Sequence, residues 1–329
     1  MNNSLRYLLG LLSLLLLLLF PACNRTQLIN AFVPPTATSM ATLTPTNTAT
    51  STPTATSTAT ATPTQTPPPT FTPQPPATPS PTLPPTQTPS PTATYPPPPE
   101  EVHVPILMYH YISDLPTDAD YIRRGLTVEL DNFETQLQYL QENGYQTILL
   151  RDLYDALAVG KPLPEKPIVL TFDDGYKDAY EHAGPLLAKY GFVGEFFVLA
   201  TPAHFEAEHY MTWKEMAELA ASGMSIQGHG RDHYDLQGRD YDFLVFQILG
   251  IKEAVEAHTG QPVTFFCYPA GKYDDAVLTV VESAGYLGAV TTEWGATQTL
   301  ENRYTWPRIR VQGEGTLETF AGVLAGLEQ

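Results

Sequence analysis

Pro167-Ile168-Val169-Leu170-Thr171-Phe172-Asp173-Asp174-Gly175-Tyr176 sets an apolar strand directly before two adjacent carboxylates and a glycine turn. In a chain built of strand–helix repeats, the C-terminal ends of strands are where chemistry collects. Two carboxylates there can divide labour, one holding a metal and the other moving a proton. Taken alone, the same run reads equally as a solvated Asp-Asp-Gly turn, so its meaning depends on what surrounds it.

On both sides of it, strand-like and helical patterns alternate from about Val102 to the C-terminus. Strands are expected over 105–112, 145–150, 167–172, 194–200, 224–228, 263–268, 287–292 and 307–311. Asp131 is expected to cap a helix that runs to Asn143, and further helices are expected over 151–159, 176–190, 213–222 (capped by Thr212), 242–258, 274–284 and 317–327. Such alternation implies an α/β fold with a parallel sheet covered by helices. Seven or eight repeats in about 230 residues suit a closed or nearly closed barrel. A doubly wound open sheet is the rival. No GxGxxG follows a strand, which weakens its dinucleotide-binding form.

The chain has 329 residues, enough for one large domain and appendages. Residues 1–22 carry one early cation, Arg6, and then a Leu-dominated run that is short for a membrane span and suited to a signal sequence. It ends Phe20-Pro21-Ala22-Cys23, which resembles a bacterial lipoprotein cleavage site with Cys23 as the lipidated residue, although Phe20 stands where Leu is usual. An ordinary secretion signal or an uncleaved anchor are the alternatives, and all three place the rest of the chain outside the cytoplasm. Residues 24–100 form a linker, Thr/Pro-rich and nearly free of charge from 34 to 99, that cannot bury a core. Extended at roughly 3 Å per residue, it would reach on the order of 200 Å from a membrane. The catalytic domain is expected over 101–329. Cys23 and Cys267 are the only cysteines, so no disulfide framework is expected, and Cys267, in an apolar strand, reads as a buried, inert thiol. The formal net charge of −18 falls almost wholly on the globular part and argues against nucleic acid as a partner. No protein partner is evident.

Further signals lie at other strand ends. Gly228-His229-Gly230-Arg231-Asp232-His233 spaces two imidazoles four apart, which reach one metal if the segment turns helically. With a carboxylate they make a facial triad that leaves positions open for water and substrate. Phe265-Phe266-Cys267-Tyr268-Pro269-Ala270-Gly271 runs into a turn that can aim a backbone N–H at a developing oxyanion. Met108-Tyr109-His110-Tyr111 offers a proton donor, or a core histidine. Trp306-Pro307-Arg308-Ile309-Arg310-Val311 offers an arginine that can orient a catalytic aspartate, or two arginines on an edge strand.

Thr171–Gly175, His229-x3-His233 and Tyr268-Pro269-x-Gly271, in this order, resemble the polysaccharide deacetylases of carbohydrate esterase family 4. The opening Met108-Tyr109-His110 and the ending Pro307-Arg308-Ile309 resemble the branch with the poly-N-acetylglucosamine deacetylases of biofilm matrices. The resemblance spans about Pro105 to the C-terminus. It implies a distorted (β/α)7–8 barrel and metal-dependent removal of acetyl groups, mostly N-acetyl on aminosugar polymers. It assigns Asp173 as general base, Asp174, His229 and His233 as ligands of Zn²⁺ or another divalent ion, and His110 as acid. Ala270 would supply the oxyanion N–H, and Arg308 would tether Asp173. Two departures stand out: Gly230 replaces the usual Ser or Thr, and Ala270 replaces the usual aromatic residue. No late Leu-x-His motif, the acid's source in other branches, is present. The competing readings are an O-acetyl esterase on xylan or wall glycan and a non-catalytic glycan-binding module. A glycoside hydrolase fits poorly, because it needs carboxylates from different strands roughly 5–10 Å apart.

Overall fold

A computed structural model describes residues 95–327. The leader, Cys23 and the Thr/Pro-rich segment up to residue 94 lie outside the described residues. Seven strands carry the architecture: β1 (Ile106–Tyr109), β2 (Pro167–Phe172), β3 (Glu195–Val198), β4 (Ser225–Gly228), β5 (Phe265–Cys267), β6 (Gly288–Trp294) and β7 (Trp306–Arg310). Each lies parallel to the next in sequence. β1 then joins both ends of the row, pairing Leu107 with Leu170 of β2 and with Ile309 of β7. The ring is therefore closed, a (β/α)7 barrel, and the open-sheet alternative falls.

The helices around it are α1 (Tyr121–Leu126), α2 (Leu130–Glu142), α3 (Leu150–Val159), α4 (Gly184–Tyr190), α5 (Ala200–His204), α6 (Trp213–Ala221), α7 (Tyr241–Thr259), α8 (Asp275–Ser283) and α9 (Leu317–Leu327). Side-chain caps fix several starts. Thr212 and Glu215 form a reciprocal capping box on α6, and Asp240 and Asp274 accept from the third backbone N–H of α7 and α8.

Strand parity sorts the core. Leu107, Leu170, Phe172, Phe196, Ile226 and Phe266 pack outward against the helices. Ile106, Val169, Phe197, Phe265, Cys267 and Trp306 form an inner cluster that Leu150, Leu153 and Leu157 of α3 close at the base.

Several expected elements differ. The first strand stops at Tyr109, and His110 stands in a break before a two-residue strand at Tyr111–Ile112. The strand expected over 145–150 shrinks to Gln146–Thr147 beside the base of β2, because residues from Leu150 on already belong to α3. Asp131 is not a cap: α2 starts at Leu130 with Glu129 at the N-cap, and Asp131 sits in its first turn, where a carboxylate suits the helix dipole. The helix expected over 176–190 forms from Lys177 but widens partway along. Tyr176 itself bridges Tyr210, residues Ala179–Ala183 form a π-turn, and α4 continues from it at Gly184. β7 is not an edge strand, since β1 and β6 flank it.

Candidate active site

The inward parity of the strands carries their last residues into the mouth of the barrel. From β2 this brings Thr171 and Asp173 inward, from β4 His229, from β5 Cys267, and from β7 Arg308 and Arg310. A cleft of about 490 Å³ opens there, lined among others by His110, Asp173, Asp174, His229, His233 and Ala270. All the residues singled out at strand ends except Arg308 thus face one cavity, and Arg308 lies just beneath it.

Asp173 is buried, 2 % exposed, and meets the equally buried Arg308 through two donors, Nη1 to Oδ1 at 2.8 Å and Nη2 to Oδ2 at 2.7 Å. Arg308 also donates from Nε to the Thr291 carbonyl and from Nη1 to Thr171 Oγ1, so its plane cannot rotate away. Burial alone would raise the Asp173 carboxyl, but the guanidinium outweighs it and holds the group well below the usual carboxylate range.

Asp174 turns the other way because its backbone is left-handed, at φ 72°. Its Oδ1 lies 3.2 Å from His229 Nε2 and 3.5 Å from His233 Nε2. His229 Nδ1 is 2.7 Å from the Cys267 carbonyl oxygen, which only accepts. In the neutral ring the proton therefore sits on Nδ1, and Nε2 turns its lone pair toward Asp174. Burial opposes charge on His229, but Cys267 and Asp174 outweigh it and raise its pKa well above the ordinary imidazole value, whereas burial lowers His233. Asp174 Oδ1 itself is buried without a hydrogen-bond donor. Three ligand atoms that all lie within 4.8 Å of one another are what a divalent cation fills, displacing the proton that His229 would otherwise hold.

Asp173, His229 and Cys267 form a second group of that size. It fits a cation poorly, because both Asp173 oxygens already face Arg308, and burial raises the Cys267 thiol away from the thiolate form.

The two imidazoles do not converge on a helix face, as their spacing suggested. Residues 229–233 are a loop, and its turn depends on Gly230 at φ +93°, where an added Cβ would stand 2.9 Å from the Asp232 carbonyl oxygen. Glycine at this position is thus a geometric requirement of this loop.

The Pro269–Gly271 turn is a short 3₁₀ segment with Ala270 also left-handed, at φ 55°. Gly271 follows with its Cα so close to Thr292 that a Cβ would lie 2.0 Å from Oγ1. Ala270 and Thr292 consequently share one wall of the cleft. His110 stands in the same cleft. Burial lowers its pKa, with the Asp173 and Asp174 carboxylates pulling the other way.

Cys267 was expected to be inert. It is buried, but its thiol lies 3.5 Å from Asp173 Oδ2 and accepts from Arg308 Nη2 at 3.2 Å, so it is part of the aspartate's support. Thr171 is a second member that sequence reasoning passed over. Its hydroxyl donates to the Leu107 carbonyl and accepts from Arg308. Its position two residues before Asp173, on the same face of β2, was the available signal.

A family model described as polysaccharide deacetylase spans residues 160–289. YxkH of Bacillus subtilis (strain 168), named as a polysaccharide deacetylase, is 34 % identical over 208 residues, 63 % of this chain and 71 % of that protein. The poly-beta-1,6-N-acetyl-D-glucosamine N-deacetylase of Escherichia coli (strain K12) is 31 % identical over 148 residues, 40 % of this chain and 21 % of that protein. The solved Streptococcus pyogenes deacetylase PplD in complex with acetate superposes with a TM-score of 0.62 at 29 % identity, covering 67 % of this chain and 97 % of that one. With its closed seven-stranded barrel and the strand-end constellation at its mouth, the chain belongs to the polysaccharide deacetylases, hydrolases that remove acetyl groups from polysaccharides.

Proposed function

We propose that this protein removes N-acetyl groups from an aminosugar polysaccharide of the cell envelope or matrix, releasing acetate. The observation that carries the reading is the division of the Asp173-Asp174 pair: one carboxylate locked on Arg308, its neighbour turned onto two imidazoles, both at one cleft. Asp174, His229 and His233 would hold the divalent ion, with Zn²⁺ suited to two nitrogens and one oxygen. A bound divalent ion supplies Lewis-acid polarisation of the acetyl carbonyl and makes a water easier to deprotonate.

The chain's own residues do the rest. Asp173 takes a proton from the attacking water, and Arg308 fixes the direction in which its carboxylate points. The Ala270 N–H stabilises the oxyanion that forms on the acetyl group. His110 gives a proton to the departing amine, a leaving group that needs one.

The likeness to a poly-beta-1,6-N-acetyl-D-glucosamine N-deacetylase supports an amide over an ester substrate. Export and lipid attachment at Cys23, with residues 24–100 as a spacer, are the location that the leader motif supports.

Acetate release from N-acetylglucosamine oligomers and from acetylated xylan, with metal content measured before and after chelation, tests the reading. Release from the aminosugar that is lost on chelation and restored by Zn²⁺ is expected. Release from xylan alone would make the protein an O-acetyl esterase, and no metal with no release would end the enzyme reading. Replacing His110 by Ala should slow amide hydrolysis by about 100-fold. It should spare a 4-nitrophenyl ester, whose leaving group needs no proton.

A further inference from the structure

The two imidazoles proposed as metal ligands are held very differently. His229 is buried, its backbone N–H donates to the Val198 carbonyl at the end of β3, and its ring is tied to the Cys267 carbonyl. The His233 side chain is 43 % exposed. Among the described residues its ring has no hydrogen bond or ion pair beyond those to Asp174 and its own backbone. Without a carbonyl or carboxylate behind it, such a ring keeps one position only if the backbone that carries it is fixed.

That fixing comes from α7. Leu244, Ile248, Ile251 and Val255 form its buried stripe at helical spacing, and Gln247 stands among them, 1 % exposed. A carboxamide there costs free energy unless both its ends are bonded. Both are, and to one residue. Gln247 Oε1 accepts from the Asp232 backbone N–H at 2.9 Å, and Nε2 donates to Asp232 Oδ2 at 3.0 Å. Asp232 directly precedes His233, and its carbonyl accepts in turn from Tyr234 N at 2.9 Å.

The rest of the loop is seated on the same helix and on α5. Arg231 lays its side chain across α7 at Gly250, where a Cβ would stand 2.9 Å from Arg231 Cδ, and its guanidinium lies 4.7 Å from the centre of the Phe246 ring. The Arg231 carbonyl accepts from Thr201 N of α5 at 2.8 Å. Gly230 faces Gln247 as well, since a Cβ added to it would lie 3.4 Å from Oε1. All three residues between the histidines are thus placed by packing or hydrogen bonds, and Gln247 grips the one next to His233.

We infer that Gln247 is a positioning residue of the metal centre: by holding Asp232 it fixes where the His233 ring can reach, and so sets how tightly the divalent ion is bound. The inference rests on the ligand set proposed above. A role confined to packing the loop on the helix would not depend on the His233 ring, so the two roles are separable.

Zn²⁺ affinity of the full chain, measured by competition with a chromophoric chelator, tests this. Gln247→Met keeps the volume and removes both hydrogen bonds. It should weaken Zn²⁺ binding about 10- to 100-fold, the scale of a lost support behind a metal ligand. In a His233→Ala background, read against a weaker chelator, the same substitution should change affinity by less than about twofold. Asp232→Ala removes one of the two bonds from the loop side. It should weaken binding about tenfold, and it serves if Gln247→Met does not fold. Asp232→Asn, whose amide oxygen still accepts from Gln247, should stay within about threefold of the parent.

Three results would each overturn the positioning role while leaving the catalytic reading intact. One is Zn²⁺ bound as tightly by Gln247→Met and Asp232→Ala as by the parent. Another is a loss of equal size with and without His233. The third is an Asp232→Asn variant as weak as Asp232→Ala. A parent that binds no Zn²⁺, or a His233→Ala variant that binds it as tightly as the parent, would remove the ligand set itself and the inference with it.

Discussion

Two of the buried carboxyl groups of this barrel, Asp173 and Glu195, behave in opposite ways. Asp173 at the mouth is held as a carboxylate by Arg308, against the effect of its own burial. Glu195, near the base, accepts from the Leu150 backbone N–H at 2.7 Å but faces no cation. Burial raises it from 4.5 to about 7. The same residue chemistry at the same depth thus differs by the presence of one guanidinium, which shows that the partner rather than the burial decides the charge. It also divides the molecule. The base tolerates a neutral acid, while the mouth needs a permanent negative charge and spends the most buried arginine of the fold on it.

The sharpest way to break the comparison is to remove the charge at the mouth. Asp173→Asn should lower acetate release by about 1,000-fold, the scale of a lost general base, while metal content stays at one ion per chain. Activity within tenfold of the parent would show that another group takes the proton.

Removing the partner comes next. Arg308→Met leaves Asp173 buried without compensation and should cost about 3–5 kcal/mol of stability in urea titration at neutral pH. Because the Asp173 pKa lies below its unfolded value, the parent's advantage is present above the ordinary carboxylate range. It is lost as pH falls through the depressed folded value. A variant as stable as the parent at neutral pH would mean that the pair does not organise the mouth.

Glu195 carries the opposite sign. Its folded pKa is raised, so its contribution is fully present below pH 4.5 and is lost as pH rises toward about 7. Glu195→Gln keeps the acceptor for Leu150 and removes the ionisation. It should stabilise the protein by about 3 kcal/mol near pH 8, with no gain near pH 4. An equal effect at both pH values would point to packing instead.

The smallest effect belongs to Cys267→Ala, which removes one weak contact each from Asp173 and Arg308. A loss of about 1 kcal/mol with activity within a few-fold is expected from thermal unfolding and turnover. A loss as large as that of Arg308→Met would make the thiol an equal partner in the support.

Much of this was open to reading along the chain. Local apolar runs and helix caps named most strands and helices. The motifs at their ends spelled out Asp173, Asp174, His229 and His233, because strand parity and turn chemistry act over a few residues. The failures are of a different kind. The helix after Tyr176 forms, but Ala179–Ala183 widen it into a π-turn that its propensity does not record, and Tyr176 itself is held by a bridge to Tyr210 some thirty residues later. His229 and His233 sit at helical spacing, but Gly230 bends them together in a loop.

The sequence by itself determined a strand–helix repeat chain, its inward-facing strand ends and the residue types gathered there, since each follows from short-range periodicity. Only the tertiary structure decided that Arg308 meets Asp173 across 135 residues of sequence, that Cys267 joins them, and that Tyr111, Tyr176 and Tyr210 share a groove. The Arg308 contacts exist because the last strand closes the ring against the first. Ring closure is a long-range pairing whose partners no local pattern records.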